Sequence, residues 1–256
     1  MSYKKLVENS DCLYIYDGSL QGFYTVVYDA VYSKKRPISI IQEKKYTKTL
    51  YTEITIDTDL EKAQKVRKSI NQKISKRSLN LVETVFIGEY PNKEMIIFDY
   101  LIFGYSAKNN AHNVLSEPVV SEILKAEQRI LCDAHMYTGF IRFSDYNGVL
   151  ISLIDSKYFV LPFIAKHFTD RFCNENFMIY DENFKVALVY KDKEFDMISV
   201  DELELPQKTE EEIKYSLLWK TFYDTIAIEE RINPKLRMNN VRKRYWKHMT
   251  EMQNLL

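Results

Sequence analysis

Between Arg231 and His248 the chain carries seven bases (Arg231, Lys235, Arg237, Arg242, Lys243, Arg244 and Lys247) and no acid. Cations at that density meet phosphates, and the interleaved Tyr245 and Trp246 offer rings on which bases stack, so the stretch has the chemistry of a nucleic-acid grip. On a helix from about Val241 to Met252, Val241, Tyr245, Met249 and Met252 share one narrow face. Lys243, Arg244 and Lys247 lie opposite it, with Trp246 at the boundary beside Arg242. The pattern equally fits a solvated basic face whose Trp246 covers a core. A second group comprises His135, Arg142, His167 and Arg171. His167 and Arg171 stand four apart on one helix face, while Arg142 alternates with Phe140 and Phe143 in an expected strand. Converging in one pocket, His135 or His167 would serve as general acid and base, and Arg142 or Arg171 as anion stabiliser, for a reaction at a nucleobase or its glycosidic bond. Dispersed, they are ordinary surface or core groups.

Other chemistries find no residues. HxxxH, CxxC and HExxH spacings are absent, so no metal is expected; without GxGxxG, GxxxxGK[ST] or GxSxG, no cofactor is expected either. Asp17-Gly18-Ser19 reads as a turn and helix cap rather than an anion cradle, because Asp17 sets a negative charge where a phosphate would sit. Three scattered cysteines (Cys12, Cys132, Cys173) suit a reducing compartment. With no apolar leader and no run of about 18 apolar residues, a cytoplasmic chain with no membrane partner is expected. The formal net charge is zero, but its distribution is uneven. Asp192 to Glu212 holds nine acids against Lys193 and Lys208, a segment able to hold a basic partner or to fold over the chain's own basic tail. Nineteen Tyr and fourteen Phe suit stacking or interface surfaces, or the codon usage of an A/T-rich genome.

The elements that must position these residues follow from periodicity. Cys12 to Tyr16 reads as a buried strand and Leu50 to Asp57 as a half-buried one. Between them Ser19 caps a helix with Phe23, Val26, Val27, Ala30 and Val31 on one face. Thr58 or Asp59 caps a strongly basic helix, Pro91 opens a helix to about Tyr105 that is apolar nearly all round and so central, and Glu117-Pro118 opens one to about His135. Strands are expected at 139–143, 149–154, 177–180 and 186–190, with a helix over Leu161–Phe172 among them. Asp192 to Glu212 reads as a solvated connection, and Ile213 to Ile228 as a helix with Leu217, Leu218 and Phe222 inward. Helices segregated around a mainly antiparallel central sheet make an α+β fold. The expected organisation is a single domain, 1–256, divisible into an α/β-rich part (1–136), antiparallel strands (137–200) and a helical C-terminal part (207–256).

Several segments together carry a resemblance: Tyr14 to Phe23 (YIYDGSLQGF), Gly139 to Phe143 (GFIRF), His167 to Phe172 (HFTDRF) with Tyr180-Asp181, Ala227 to Pro234 (AIEERINP), and Arg244 to Lys247 (RYWK). In that order, over nearly the whole chain, they resemble a bacterial family of uncharacterised proteins assigned to DNA metabolism or repair. Its members stand beside a radical-SAM protein thought to modify or repair DNA, and some are fused to a uracil-DNA-glycosylase-like domain. The resemblance implies a DNA-binding or substrate-presenting subunit in the stand-alone form, with the chemistry supplied by a radical-SAM partner because CxxxCxxC is absent here. Asp133-Ala134-His135 departs from the more basic, glutamate-containing version of the family, which leaves Asp133 without an assigned catalytic role. An enzyme acting on a nucleobase and a protein-interaction module are the alternatives.

Overall fold

The computed structural model describes residues 6–228 and 233–253. The chain is a mixed helix-and-strand protein of two compact units, Met1–Ile130 and Leu131–Leu256.

In the first unit, β1 (Glu8–Asn9) pairs in parallel with β3 (Lys35–Arg36). Strand β2 (Cys12–Tyr16) is the centre of a wholly parallel sheet, flanked by β4 (Ser39–Gln42) and β5 (Thr52–Thr55). All five residues of β2 are buried, which explains its unbroken apolar run: a strand covered on both faces has no polar side to alternate with. The turn after β2 needs glycine, since Gly18 adopts φ +89°. Asp17 then accepts from the Ser19 backbone N–H and the Thr58 hydroxyl, each at 2.8 Å. Ser19 in turn caps α1 (Leu20–Tyr32) by accepting from the Gly22 N–H at 2.9 Å.

Helix α2 (Leu60–Ser69), capped by Asp59, runs on as a π-helical turn, Ile70–Ile74, whose two isoleucines are fully buried. Ser75 caps α3 (Lys76–Ile87). Helix α4 (Lys93–Ala107) is the central one expected, with Ile97, Phe98, Tyr100 and Leu101 wholly inaccessible. Its first residue, Lys93, is buried too. Its ammonium donates to the Phe86 carbonyl at 2.9 Å, pairs with Glu89, and lies 3.8 Å from the Phe86 ring centroid. Burial lowers its pKa, against the pull of Glu89.

Helix α5 (Pro118–Phe140) leads into the second unit. There β6 (Ser144–Tyr146), β7 (Val149–Ile154), β8 (Asn176–Asp181), β9 (Val186–Lys191) and β10 (Glu194–Ser199) form one sheet in the order β10-β9-β8-β7-β6. Helix α6 (Leu161–Arg171) joins β7 to β8, and those two strands are parallel; the other pairs are antiparallel. Four rings (Phe143, Phe168, Phe172 and Phe177) pack on one another with centroids 5.1–6.3 Å apart. Helices α7 (Glu210–Thr225), α8 (Pro234–Asn240) and α9 (Lys243–Trp246) complete the described chain.

Five expectations are corrected. The sheets are not one mainly antiparallel sheet: the first is all parallel, and the second is mixed because a helix between β7 and β8 returns the chain to the same end of the sheet. Residues 139–143 form no strand, since α5 continues to Phe140 and Arg142 Nη1 turns back to donate to the Gly139 carbonyl at 2.9 Å. The acidic segment is not wholly a connection, because Glu194–Ser199 is the edge strand β10. In α7, Leu218 and Phe222 face solvent and Ser216 is the buried residue. The expected Val241–Met252 helix is two short turns, α9 and a 3-10 turn at Thr250–Met252.

Gly22 gives the sharpest test of the first unit. A Cβ there would fall far inside van der Waals contact with Asp17 Oδ1 and 2.8 Å from Thr58 Oγ1. Gly22→Ala is therefore expected to lower unfolding stability by about 1–3 kcal/mol in urea titrations, and pairing it with Asp17→Ala should recover part of that loss.

Candidate nucleic-acid interface

The second unit has an open groove of about 490 Å³ lined by Arg142, Arg171, Phe143, Phe172, Tyr215 and Trp219, with Glu212, Ser216 and Thr250 along its polar edge. Its frame is a single buried carboxylate. Glu251 accepts from Arg142 Nη2 at 2.7 Å, from Arg142 Nε at 3.2 Å and from the Trp219 indole N–H at 3.1 Å. Burial alone would raise the Glu251 carboxyl, but Arg142, Glu251's own backbone N–H and the indole outweigh it and hold the group below the usual carboxylate range. One side chain from the C-terminal turn thus fixes a guanidinium that follows α5 and an indole on α7. The Arg142 guanidinium carbon lies 6.0 Å from the Trp219 ring centroid.

Arg171, at the end of α6, is exposed and 5.7 Å from the Phe172 ring; among the described residues it makes no ion pair. Tyr215 is 70% exposed and Trp219 42%, so each leaves ring surface open, although the Trp219 indole leans on Phe222 with centroids 5.9 Å apart. At the other edge Glu212 accepts from the Asp145 N–H and the Ser216 hydroxyl, both at 3.0 Å, with Lys208 4.0 Å away. The uncompensated charge in the groove is therefore Arg171. The arrangement can stack a planar ring and place an anion on a guanidinium.

The basic tail is arranged differently from a free cationic face. Arg244 pairs with Asp133, whose side chain is 1% exposed, and Tyr245 donates to the same Asp133 oxygen at 2.6 Å. Tyr245 is buried edge-on against Tyr137, with centroids 5.1 Å apart. Burial, reinforced by Asp133, pushes its phenol up to about 12. Lys247 pairs with Glu182, which His248 also contacts at 3.0 Å. Trp246 donates to the Val241 carbonyl at 2.9 Å and lies 5.2 Å from the Arg237 guanidinium. Arg242 and Lys243 are exposed and make no ion pair among the described residues. Arg231 lies outside the described residues. The tail's described partners are Asp133, Asp155 and Glu182, none of them in the acidic segment 192–212.

Of the two histidines, His135 is exposed on α5 and His167 is exposed on α6, and neither lines the groove that holds Arg142 and Arg171. Sequence reasoning missed Glu251, Trp219 and Tyr215. Tyr215, Trp219 and Phe222 stand at helical spacing and were legible as a stripe, though not as an outward one. Nothing near Glu251 in the sequence announces it as a hub.

Fold and groove define a mixed α/β protein with an aromatic, arginine-bearing cleft in its second unit. Residues 91–251 match the family described as a domain of unknown function, DUF4130, and the chain belongs to that family. The match begins just before α4 and takes in all the groove residues named above. No curated protein and no solved structure matches the chain. Among the described residues no helix is long and apolar enough to cross a membrane, and no cluster of His, Cys, Asp or Glu could hold a metal ion.

Two outcomes test this arrangement. Arg244→Ala leaves the Asp133 charge buried and unpaired, so it should cost about 3–5 kcal/mol in urea titrations, whereas Arg242→Ala should leave stability within about 0.5 kcal/mol. Because the folded Glu251 pKa is depressed, its contribution is present above the unfolded carboxylate value and is lost as pH falls through the folded one. In a Trp246→Phe background the remaining Trp219 fluorescence should therefore shift as the solution is acidified below the usual carboxylate range of about pH 4, and Glu251→Gln should show the shifted signal already at pH 7.

Proposed function

We propose that this chain is a DNA-binding, substrate-presenting subunit in DNA metabolism or repair, with the groove of the second unit as its contact surface. The observation that carries the reading is the juxtaposition of an uncompensated Arg171 with the open rings of Tyr215 and Trp219. A cation for the backbone beside rings for the bases is what single-stranded nucleic acid requires. The assignment to DNA rests on the sequence resemblance set out above. The exposed bases Arg242 and Lys243 add phosphate contacts; Arg244 and Lys247 serve chiefly to hold the tail.

Anisotropy of a labelled single-stranded and a duplex oligonucleotide over a salt series checks this. Arg171→Ala and Tyr215→Ala should each weaken single-strand binding by about tenfold. Arg171→Ala, Arg242→Ala and Lys243→Ala should each flatten the log-affinity slope by about 0.7. Wild-type affinity and slope in all four variants would reject the groove and the tail together.

A second reading concerns the partner. Helix α7 exposes Leu218 and Phe222, and Ile226 just after it continues the same stripe, more apolar surface than a solitary helix face needs. We assign this stripe to contact with the radical-SAM enzyme that the resemblance implies. Leu218→Asp with Ile226→Asp should abolish co-purification with that enzyme while leaving DNA binding intact; retention of the complex would exclude the stripe.

A further inference from the structure

The first unit holds a cleft of about 440 Å³ that has no part in the groove of the second. Two helices supply most of its lining, with Leu6 and Tyr105 of α4 closing it. Helix α1 contributes Tyr28 and Tyr32, four residues apart and so on one face, over a floor that includes Val27 and Val31. Helix α2 and its π-helical continuation contribute Lys65, Ser69 and Lys73, again at spacings of four, around the buried Val66. A π turn widens the helix locally, and such turns recur at functional sites.

The two tyrosine rings are stacked, with centroids 4.2 Å apart and planes 19° from parallel. The Lys62 ammonium lies 5.7 Å from the Tyr28 centroid, while Tyr32 remains 72% exposed. A large ring left in solvent at the end of a stack is a platform for another planar ring. Lys73 makes no ion pair among the described residues. Lys65 reaches only Glu61, at 3.9 Å, with both side chains largely in solvent, so that pair is worth little and the ammonium is available. Apolar floor, stacking platform and two available cations occupy one cleft, whose volume lies within the range of about 300–1,000 Å³ usual for small-ligand sites.

We propose that this cleft binds a nucleotide, with the base stacked on Tyr32 and the phosphate met by Lys65 and Lys73. The same chemistry is offered by a free nucleoside monophosphate and by one nucleotide of a DNA strand. The site is independent of the DNA-binding groove, and its failure would leave that groove untouched.

Isothermal titration of the full chain with dAMP, dTMP, thymidine and inorganic phosphate, and with a four-nucleotide oligothymidylate, tests it. At least one mononucleotide should bind more tightly than thymidine or phosphate alone if the free ligand is the occupant. If only the oligonucleotide binds, the occupant is a nucleotide within a strand. In either case Tyr32→Ala should weaken binding by about tenfold, and Lys65→Ala with Lys73→Ala should lower its salt dependence, while Arg171→Ala should leave mononucleotide binding unchanged. For the oligonucleotide, the Tyr32 effect should persist in the Arg171→Ala background. All four substituted positions (Tyr32, Lys65, Lys73 and Arg171) are exposed, and matching thermal unfolding curves confirm that each variant is folded. The proposal is overturned if no nucleotide binds in either form, or if Tyr32→Ala and the double lysine variant bind as the wild type does.

Discussion

A carboxylate with 3% of its side chain exposed stays ionised only if its oxygens are met by donors, and in the second unit that requirement decides the arrangement of everything around Glu251. Arg142 supplies two donors and Trp219 a third, so the end of α5, the outer face of α7 and the C-terminal turn are tied at one point. Asp133 does the same a few turns earlier in α5, drawing Arg244 and Tyr245 onto it. Removing either carboxylate's partner leaves a buried charge, which is a far larger penalty than losing a surface pair. The groove is the by-product: with Arg142 and Trp219 held from behind, their outer faces and those of Tyr215, Phe172 and Arg171 are left lining open space.

That arrangement changes what the basic tail is for. Charge counting treats seven bases as seven available cations, yet Arg244 and Lys247 neutralise acids of the same chain, and Tyr245 lies in the core. Arg242 and Lys243 remain outward. The surfaces proposed above lie where a cation stands beside exposed rings rather than where cations are most numerous in sequence. Both the groove of the second unit and the tyrosine cleft of the first meet that description, although each has only one or two available bases.

Much of the local structure was legible from the sequence because it is governed by neighbours. Ser19 and Asp59 are caps since their oxygens reach N–H groups two and three residues on. The bounds of β2 and β7 are read from their apolar runs, and α4 from its lack of any polar face. The turn at Asp17-Gly18 holds its place for the same reason. The candidate arginines Arg142 and Arg171 also line one groove, Arg171 from the helix expected for it and Arg142 from the end of α5 rather than from a strand.

What the sequence by itself determined is therefore most of the elements, which stretches coil, which extend and where Ser19 and Asp59 cap them, though not the end of α5, the edge strand β10 or the two short turns of 243–252. Whether β7 and β8 run parallel, which face of α7 turns outward, and which of the tail's bases remain available were decided only in tertiary structure. The first follows from α6 carrying the chain back to the same end of the sheet; the others depend on pairings between residues far apart in the chain, Arg142 with Glu251, Arg244 with Asp133 and Lys247 with Glu182, and no local pattern encodes those. A charge is read off a sequence; its partner, which fixes whether that charge holds the fold or meets a ligand, is set by burial and distance.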